Sequence, residues 1–164
     1  MKRSLFLMLM FWLLLTFHRT EAQSRKFGLG VIVGEPTGIS AKLWTSNQNA
    51  LAFGLGWSVE GYRFNGFDSD YDEVNRTHIH VDYLWHSFYA ISSSGQFPFF
   101  YGIGARINSG PEYSGTFAVR GVLGIEWLPR DTPIDIFIEV VPTLNLVSST
   151  GFGIDAGIGA RYFF

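Results

Sequence analysis

The chain has 164 residues, a formal net charge of −2 and no cysteine. This length allows one domain, the mildly acidic charge gives no electrostatic reason to expect nucleic-acid binding, and the absence of cysteine excludes disulfides and a lipid-modified cysteine anchor. Aromatic residues make up 17% of the chain, and there are 19 glycines. That mixture is typical of barrels with small interior positions and aromatic rims.

The first 22 residues have the pattern of a secretory signal peptide. Two basic residues precede an apolar run, Leu5–Phe17, that fits a secretory hydrophobic region and is short for a membrane-spanning helix. The small residues Thr20 and Ala22 predict cleavage after Ala22. We therefore expect residues 1–22 to be removed on export and residues 23–164 to form the mature domain, with an uncleaved N-terminal anchor as the alternative.

After the predicted signal peptide, the chain divides into eight segments in which apolar residues alternate with small or polar ones. Because side chains alternate across a strand, each segment is predicted to separate an apolar medium from a polar one. No segment has a sustained helical period, and turn signals separate the segments. The predicted strands cover residues 26–33, 38–45, 51–60, 78–86, 97–107, 117–127, 134–146 and 152–164.

The last segment, Phe152–Phe164, shows this alternation most clearly. Every even position is apolar, whereas the odd positions hold three glycines, Asp155, Arg161 and Phe163. Trp44 departs from the pattern, because it falls on the polar face of the second segment. A bulge near the strand end is the explanation that the pattern offers for it.

The polar face decides between a soluble barrel and a membrane barrel. An eight-stranded interior is narrow, and the apolar face of this chain is too large and too aromatic to fill it. We therefore predict an all-β, eight-stranded antiparallel up-and-down transmembrane barrel, with a soluble ligand-binding barrel as an alternative. The charged residues predicted to line its lumen are Lys42, Glu60, Asp82, Arg106, Arg120, Glu126, Asp135, Glu139, Asp155 and Arg161.

The direction of each predicted strand assigns the loops and the aromatic residues to one end of the barrel or the other. If both termini are periplasmic, the turns beginning at Ser46 and Leu128 lie on that side, and the longer loops Gly61–Arg76 and Asn108–Gly115 lie outside. The apolar-face aromatics then form two girdles. Those predicted for the periplasmic girdle are Trp85, Phe97, Trp127, Tyr162 and Phe164, and those for the outer girdle are Trp57, Phe117 and Phe152.

Several motifs resemble a family of small bacterial outer-membrane β-barrels with the fold of the OmpA membrane domain (OmpA/OmpX-type). They are Gly28–Gly30 leading into Gly34–Gly38, His80–His86, Tyr101–Arg106, Asp135–Pro142 and Gly157–Phe164. The resemblance spans nearly the whole mature chain and implies an eight-stranded barrel in the outer membrane. Because the family has no settled activity, it implies no catalytic residue.

The end of the chain also resembles the C-terminal signal that the barrel assembly machinery reads. That signal has a glycine followed by aromatics at the third-last and last positions, which Gly159, Tyr162 and Phe164 match. Gly157 stands where a polar residue is usual. The resemblance implies that these three residues mark the chain for insertion.

Two groups of residues invite a metal or catalytic interpretation. His78, His80 and His86 share a face with Asp82, but on that face we expect them to hydrogen-bond within the lumen network, away from a lipid substrate. Asp68–Glu73 resembles the front of a calcium loop, yet a glutamate occupies the position of its glycine, so we interpret it as an acidic surface loop. No metal, cofactor or catalytic residue is predicted.

These observations predict an integral protein of the cell outer membrane with a structural or surface-interaction role and a lumen plugged by charged residues. A narrow porin-like channel and a lipid A-modifying enzyme are the alternatives, and we expect no enzyme activity. The expected partners are outer-membrane lipid and lipopolysaccharide, the barrel assembly machinery, and an extracellular ligand for the Gly61–Arg76 loop. Nucleic acid is not among them.

Overall fold

The computed structural model describes residues 25–58, 76–88, 91–92, 95–110, 113–147 and 150–164, and these residues form ten strands. The predicted signal peptide, Glu60 and residues 61–75 of the long loop lie outside the described residues. The strands are β1 (Phe27–Gly34), β2 (Thr37–Trp44), β3 (Asn49–Ser58), β4 (Arg76–Ser87), β5 (Ile91–Ser92), β6 (Gly95–Gln96), β7 (Phe99–Gly110), β8 (Tyr113–Pro129), β9 (Ile134–Asn145) and β10 (Gly151–Phe163).

Eight of these strands form a closed antiparallel ring. Each pairs with its neighbours in the order β1, β2, β3, β4, β7, β8, β9, β10, and the ring closes where β1 pairs with β10 from Gly28↔Phe163 to Gly34↔Gly157. In the connection from β4 to β7, the two-residue strands β5 and β6 pair with each other. β6 also pairs with the end of β8, at Gly95↔Pro129 and Gln96↔Leu128. The predicted eight-stranded antiparallel barrel is confirmed.

The barrel exposes its apolar residues and buries its polar ones. On β10, the outward residues Ile154 and Ile158 are 63% and 55% exposed, whereas the inward residue Arg161 is 4% exposed. Most of the other outward positions of the ring also carry large exposed hydrophobic side chains. This distribution is the reverse of a soluble barrel and matches an outer surface that faces lipid. No helix in the described ranges is long and apolar enough to cross a membrane.

The two ends of the barrel differ in their aromatic content. We call the end that holds Lys26 and Phe164 the terminus end, and the opposite end, which holds the β1–β2 turn, the loop end. The aromatics predicted for the periplasmic girdle lie at the terminus end, where their rings contact each other or neighbouring rings. The distances between ring centroids are 5.7 Å for Trp85–Tyr101, 6.3 Å for Phe97–Trp127 and 5.1 Å for Tyr162–Phe164. Trp57, Phe117 and Phe152 are exposed at the loop end.

One predicted loop is mostly strand. The sequence predicted a loop over Asn108–Gly115, but β7 continues to Gly110 and β8 begins at Tyr113, with a register shift between Asn108 and Gly110. Asn108 and Thr116 are only 5% and 3% exposed. Asn108 and the neighbouring Thr116 are cross-strand partners with buried side chains, so part of the polar composition that predicted a loop belongs to the inward face of strands.

Glycines on the inner wall make room for large polar side chains on the next strand. A Cβ atom at Gly54 would overlap the His80 ring, and a Cβ atom at Gly104 would overlap the Asp82 carboxylate. Both glycines are cross-strand partners of those residues in the ladder. The glycine-rich inner face predicted from sequence is thus the space that the lumen side chains occupy.

Candidate functional site: the charged lumen

The structure places nine of the ten predicted lumen charges on the inner face of the ring, and Glu60 lies outside the described residues. Lys42, Glu126 and Asp135 are fully buried, and Asp82, Arg106, Arg120 and Arg161 are at most 7% exposed. The side chains of Glu139 and Asp155 are slightly more accessible, at 11% and 13%. These residues form three groups along the barrel axis.

The terminus-end cluster consists of Lys42, Glu126, Asp135 and Arg161. The Lys42 ammonium donates a hydrogen bond to Glu126 Oε2, and its Nζ lies 3.8 Å from Asp135 Oδ2. Arg161 donates from Nε to both Asp135 oxygens, at 3.0 and 3.1 Å. Its guanidinium also lies 3.9 Å from the centre of the Phe137 ring. Two cations and two carboxylates therefore balance each other in a fully desolvated group.

Lys42 and Glu126 belong to opposite walls of the barrel. Lys42 lies on β2 and Glu126 on β8, and three strands separate them in either direction around the ring. Their hydrogen bond therefore crosses the lumen. His86 from β4 also reaches this group, with Nε2 at 3.6 Å from Glu126 Oε1 and Nδ1 at 3.1 Å from the Gln48 carbonyl. Side chains from several strands thus meet at one level.

The central cluster is organised by Arg120. Its Nε lies 3.0 Å from Asp82 Oδ1, and its NH2 lies 3.7 Å from Glu139 Oε1. Its NH1 lies 3.2 Å from His78 Nε2, which must accept because a guanidinium can only donate. His80 Nδ1 lies 2.9 Å from the same nitrogen and therefore carries the proton of that hydrogen bond. The two histidines are members of a hydrogen-bonded network centred on one arginine.

The loop-end pair is Arg106 and Asp155. Arg106 NH1 donates to Asp155 Oδ2 at 2.5 Å, and its NH2 donates to Asn145 Oδ1 at 3.2 Å. This pair joins β7 to β10 and is the most accessible of the three groups. Within the described part of the chain, no group of three or more His, Asp or Glu residues is arranged to hold a metal ion.

Trp44 is the lumen residue whose role the sequence did not predict. The β2–β3 ladder continues without interruption to Trp44↔Ala50, so the bulge expectation was wrong. Instead, Lys42 Nζ lies 4.2 Å from the centre of the Trp44 ring, and the His86 ring lies 4.4 Å away. The positions 42 and 44 share a face of the strand, and this spacing is the signal that indicates a cation–π pair.

The predicted assembly-signal residues lie on both faces of the last strand. Gly159 faces the lumen, where a Cβ atom would overlap the Phe137 ring. Tyr162 and Phe164 point outward and are 45% and 66% exposed, whereas Phe163 between them is buried. Both aromatics are therefore accessible from outside the barrel, and their role in insertion stays a prediction.

Two solved structures are similar to this chain. The N-terminal β-barrel domain of Pseudomonas aeruginosa OprF matches with a TM-score of 0.53 at 12% identity, and the match covers 85% of this chain and 96% of that domain. The chain has the fold of the OmpA-type outer-membrane barrels. Ail, the attachment invasion locus protein of Yersinia pestis, matches with a TM-score of 0.34 at 11% identity over 85% of this chain and 94% of that one. No family model and no curated protein matches the sequence.

Proposed function

We propose that this chain is an integral protein of the bacterial outer membrane, with a structural or surface-interaction role and a lumen plugged by charged side chains. The apolar outer surface and the charged interior support a membrane barrel, because a closed ring is the β-structure that leaves no unpaired edge in lipid. The fold similarity to the OprF barrel domain supports the same location.

The hydrogen bond between Lys42 and Glu126 is the observation on which the plugged lumen depends. It joins opposite walls, and both side chains are fully buried, so its atoms occupy the cross-section through which a solute would pass. Eight strands leave an interior just wide enough for side chains to fill. The central cluster and the loop-end pair add buried or nearly buried charged side chains at two further levels of the barrel, between strands that lie closer together around the ring.

The proposal extends to assembly and partners. Gly159, Tyr162 and Phe164 would be read by the barrel assembly machinery during insertion, and the apolar wall would contact outer-membrane lipid and lipopolysaccharide. A surface-interaction role would fall to the predicted loop Gly61–Arg76. We propose no enzymatic role, and an unchanged mass spectrum of lipid A after overexpression is the expected result.

Location and fold can be tested together by gel mobility of the outer-membrane fraction. Intact transmembrane barrels resist dodecyl sulfate at room temperature, so the unheated protein is expected to run at a different position from the boiled one. The soluble periplasmic fraction of the same cells is the control. Absence of the protein from the outer-membrane fraction would contradict the proposal.

A narrow channel is the second candidate, because charged residues occur at three levels between the two ends of the lumen. Such groups could conduct ions if their pairing rearranged. Planar-bilayer recordings distinguish the two functions, since a plugged barrel gives no stepwise conductance whereas a channel gives discrete steps.

A further inference from the structure

The terminus end of the barrel holds a cavity of about 500 Å³. It lies between the N-terminal residues Arg25 and Lys26, the β2–β3 turn, and the connection from β4 to β7 that contributes Phe88 and Gln96. We call it the terminus-end cup. Its volume falls in the range of small-molecule sites, about 300–1,000 Å³.

Aromatic side chains form the inner part of this cup. Trp44 and Phe88 both line it, with ring centroids 6.2 Å apart and ring planes tilted by 36°. Trp44 stands on the face of β2 that carries the lumen charges, so its ring is held at the mouth of the lumen and not in the apolar outer wall. Two tilted rings at this separation offer a stacking surface for a planar apolar group.

The rim of the cup is cationic. Arg25 and Lys26 are exposed, and no carboxylate is present among the described residues that line the cup. The next cation inward, Lys42, is already paired with Glu126. The whole chain has a net charge of −2, but this concave site carries two positive charges. Its local potential is therefore positive and raises the concentration of anions at the terminus end of the lumen.

One backbone hydrogen bond and one side-chain hydrogen bond hold the cationic rim against the neighbouring strands. Trp44 N–H donates to the Lys26 carbonyl at 2.8 Å, and Arg25 NH1 donates to the Phe163 carbonyl at 3.3 Å. The first of these bonds joins the backbone of the rim to the backbone of β2 at Trp44, and the second ties the rim to the last strand. The two parts of the cup are therefore in place before a ligand arrives, which reduces the entropic cost of binding.

We propose that the terminus-end cup binds a small organic anion with a planar apolar body, in the class of the aromatic carboxylates. The carboxylate faces Arg25 and Lys26, and the ring system packs against Trp44 and Phe88. The cup is lined by neither residue of the ion pair that crosses the barrel, although its Trp44 ring lies 4.2 Å from Lys42 Nζ. Anion binding is therefore measured separately from bilayer conductance.

The test is isothermal titration of the purified full-length mature barrel in a neutral detergent with 2-naphthoate. We expect saturable binding to one site, weakened about tenfold in the double variant Arg25→Gln/Lys26→Gln and weakened again by added salt. Arg130→Gln is the matched control, because Arg130 is an exposed cation of the β8–β9 turn at the same end and does not line the cup. Its affinity should equal that of the wild type.

Two further measurements keep the result interpretable. The neutral analogue 2-naphthalenemethanol should bind about tenfold more weakly than 2-naphthoate, and the indole N–H resonance of Trp44, assigned with Trp44→Phe, should shift on titration with 2-naphthoate. Heat-modifiable mobility verifies that each variant is folded. Absence of saturable binding, equal affinity in the double variant, or equal affinity for the neutral analogue would overturn the proposal.

Discussion

The two ends of the lumen differ in how deeply their charged side chains are buried and in how many partners they have. At the terminus end, Lys42, Glu126 and Asp135 are fully buried, and two cations pair with two carboxylates, one pair across the barrel and one between adjacent strands. At the loop end, Arg106 and Asp155 form an ion pair that is partly accessible to solvent. A charge in a closed group depends on its partners, whereas water can replace a lost partner at an accessible pair. The difference predicts that the terminus end determines the stability of the barrel.

The largest effect is expected for Glu126→Gln, because it leaves Lys42 and Arg161 with one carboxylate between them in a buried site. Removing one partner of a buried ion pair costs about 3–5 kcal/mol. The free energy of unfolding in urea, measured in phospholipid vesicles, should fall by that amount. Asp131→Asn in the exposed β8–β9 turn is the control and should change it little. A loss below about 1 kcal/mol in Glu126→Gln would show that the cluster is not the stabilising element.

The next effect is expected for Arg120→Ala, which removes the common partner of Asp82, Glu139 and His78. Two carboxylates are then left near each other without a cation, so the free energy of unfolding should fall by about 3 kcal/mol. Bilayer conductance should stay at the wild-type level, because the cluster at the terminus end still closes the lumen. Stepwise open-pore currents in this variant would instead assign a gating role to Arg120.

A smaller effect is expected from filling the inner wall. Gly54→Ala places a methyl group against the His80 ring and should cost about 2 kcal/mol, as overpacking of a tight interior does. Gly151→Ala on the inward face of β10 is the matched control, because its nearest neighbour would be Asn145 Nδ2 at 4.0 Å, an ordinary contact. Equal unfolding free energies for the two variants would mean that the lumen side chains move aside freely.

The smallest effect is expected for Asp155→Asn at the loop end. The amide oxygen can still accept from Arg106, and solvent reaches the pair, so the free energy of unfolding should fall by about 1 kcal/mol or less. Asp135→Asn, the same substitution in the fully buried cluster, should cost at least twice as much. If the two variants lose equal stability, the contrast between the two ends of the lumen is wrong.

The fold could be predicted from sequence because the alternation of apolar and polar residues along each strand shows which side chains point outward. The interleaved faces of Phe152–Phe164 define which side chains point outward, and the structure agrees at each position that decides the barrel type. The exception was the Asn108–Gly115 region, where a strand with polar residues and a polar loop have the same composition. Composition alone does not separate these two cases, since both exclude apolar residues.

The sequence predicts which charged residues line the lumen, but it does not predict which of them pair with each other. Alternation places Lys42 and Glu126 on the inner face, yet they lie 84 residues apart, and no local pattern says that they meet. Their contact depends on the number of strands and on the stagger of the ladder as it closes. Trp44 shows the same limit in part. Lys42 lies two residues away on the same face of β2, but the contact with His86 depends on how the strands pair.

Planar-bilayer recording of the wild-type barrel is the most direct test of the plugged lumen. With the Lys42–Glu126 hydrogen bond crossing the barrel, reconstituted protein of verified heat-modifiable mobility is predicted to give no stepwise conductance above that of protein-free membranes. Discrete, reproducible open-pore steps from the wild-type protein would contradict the plugged lumen and establish a channel.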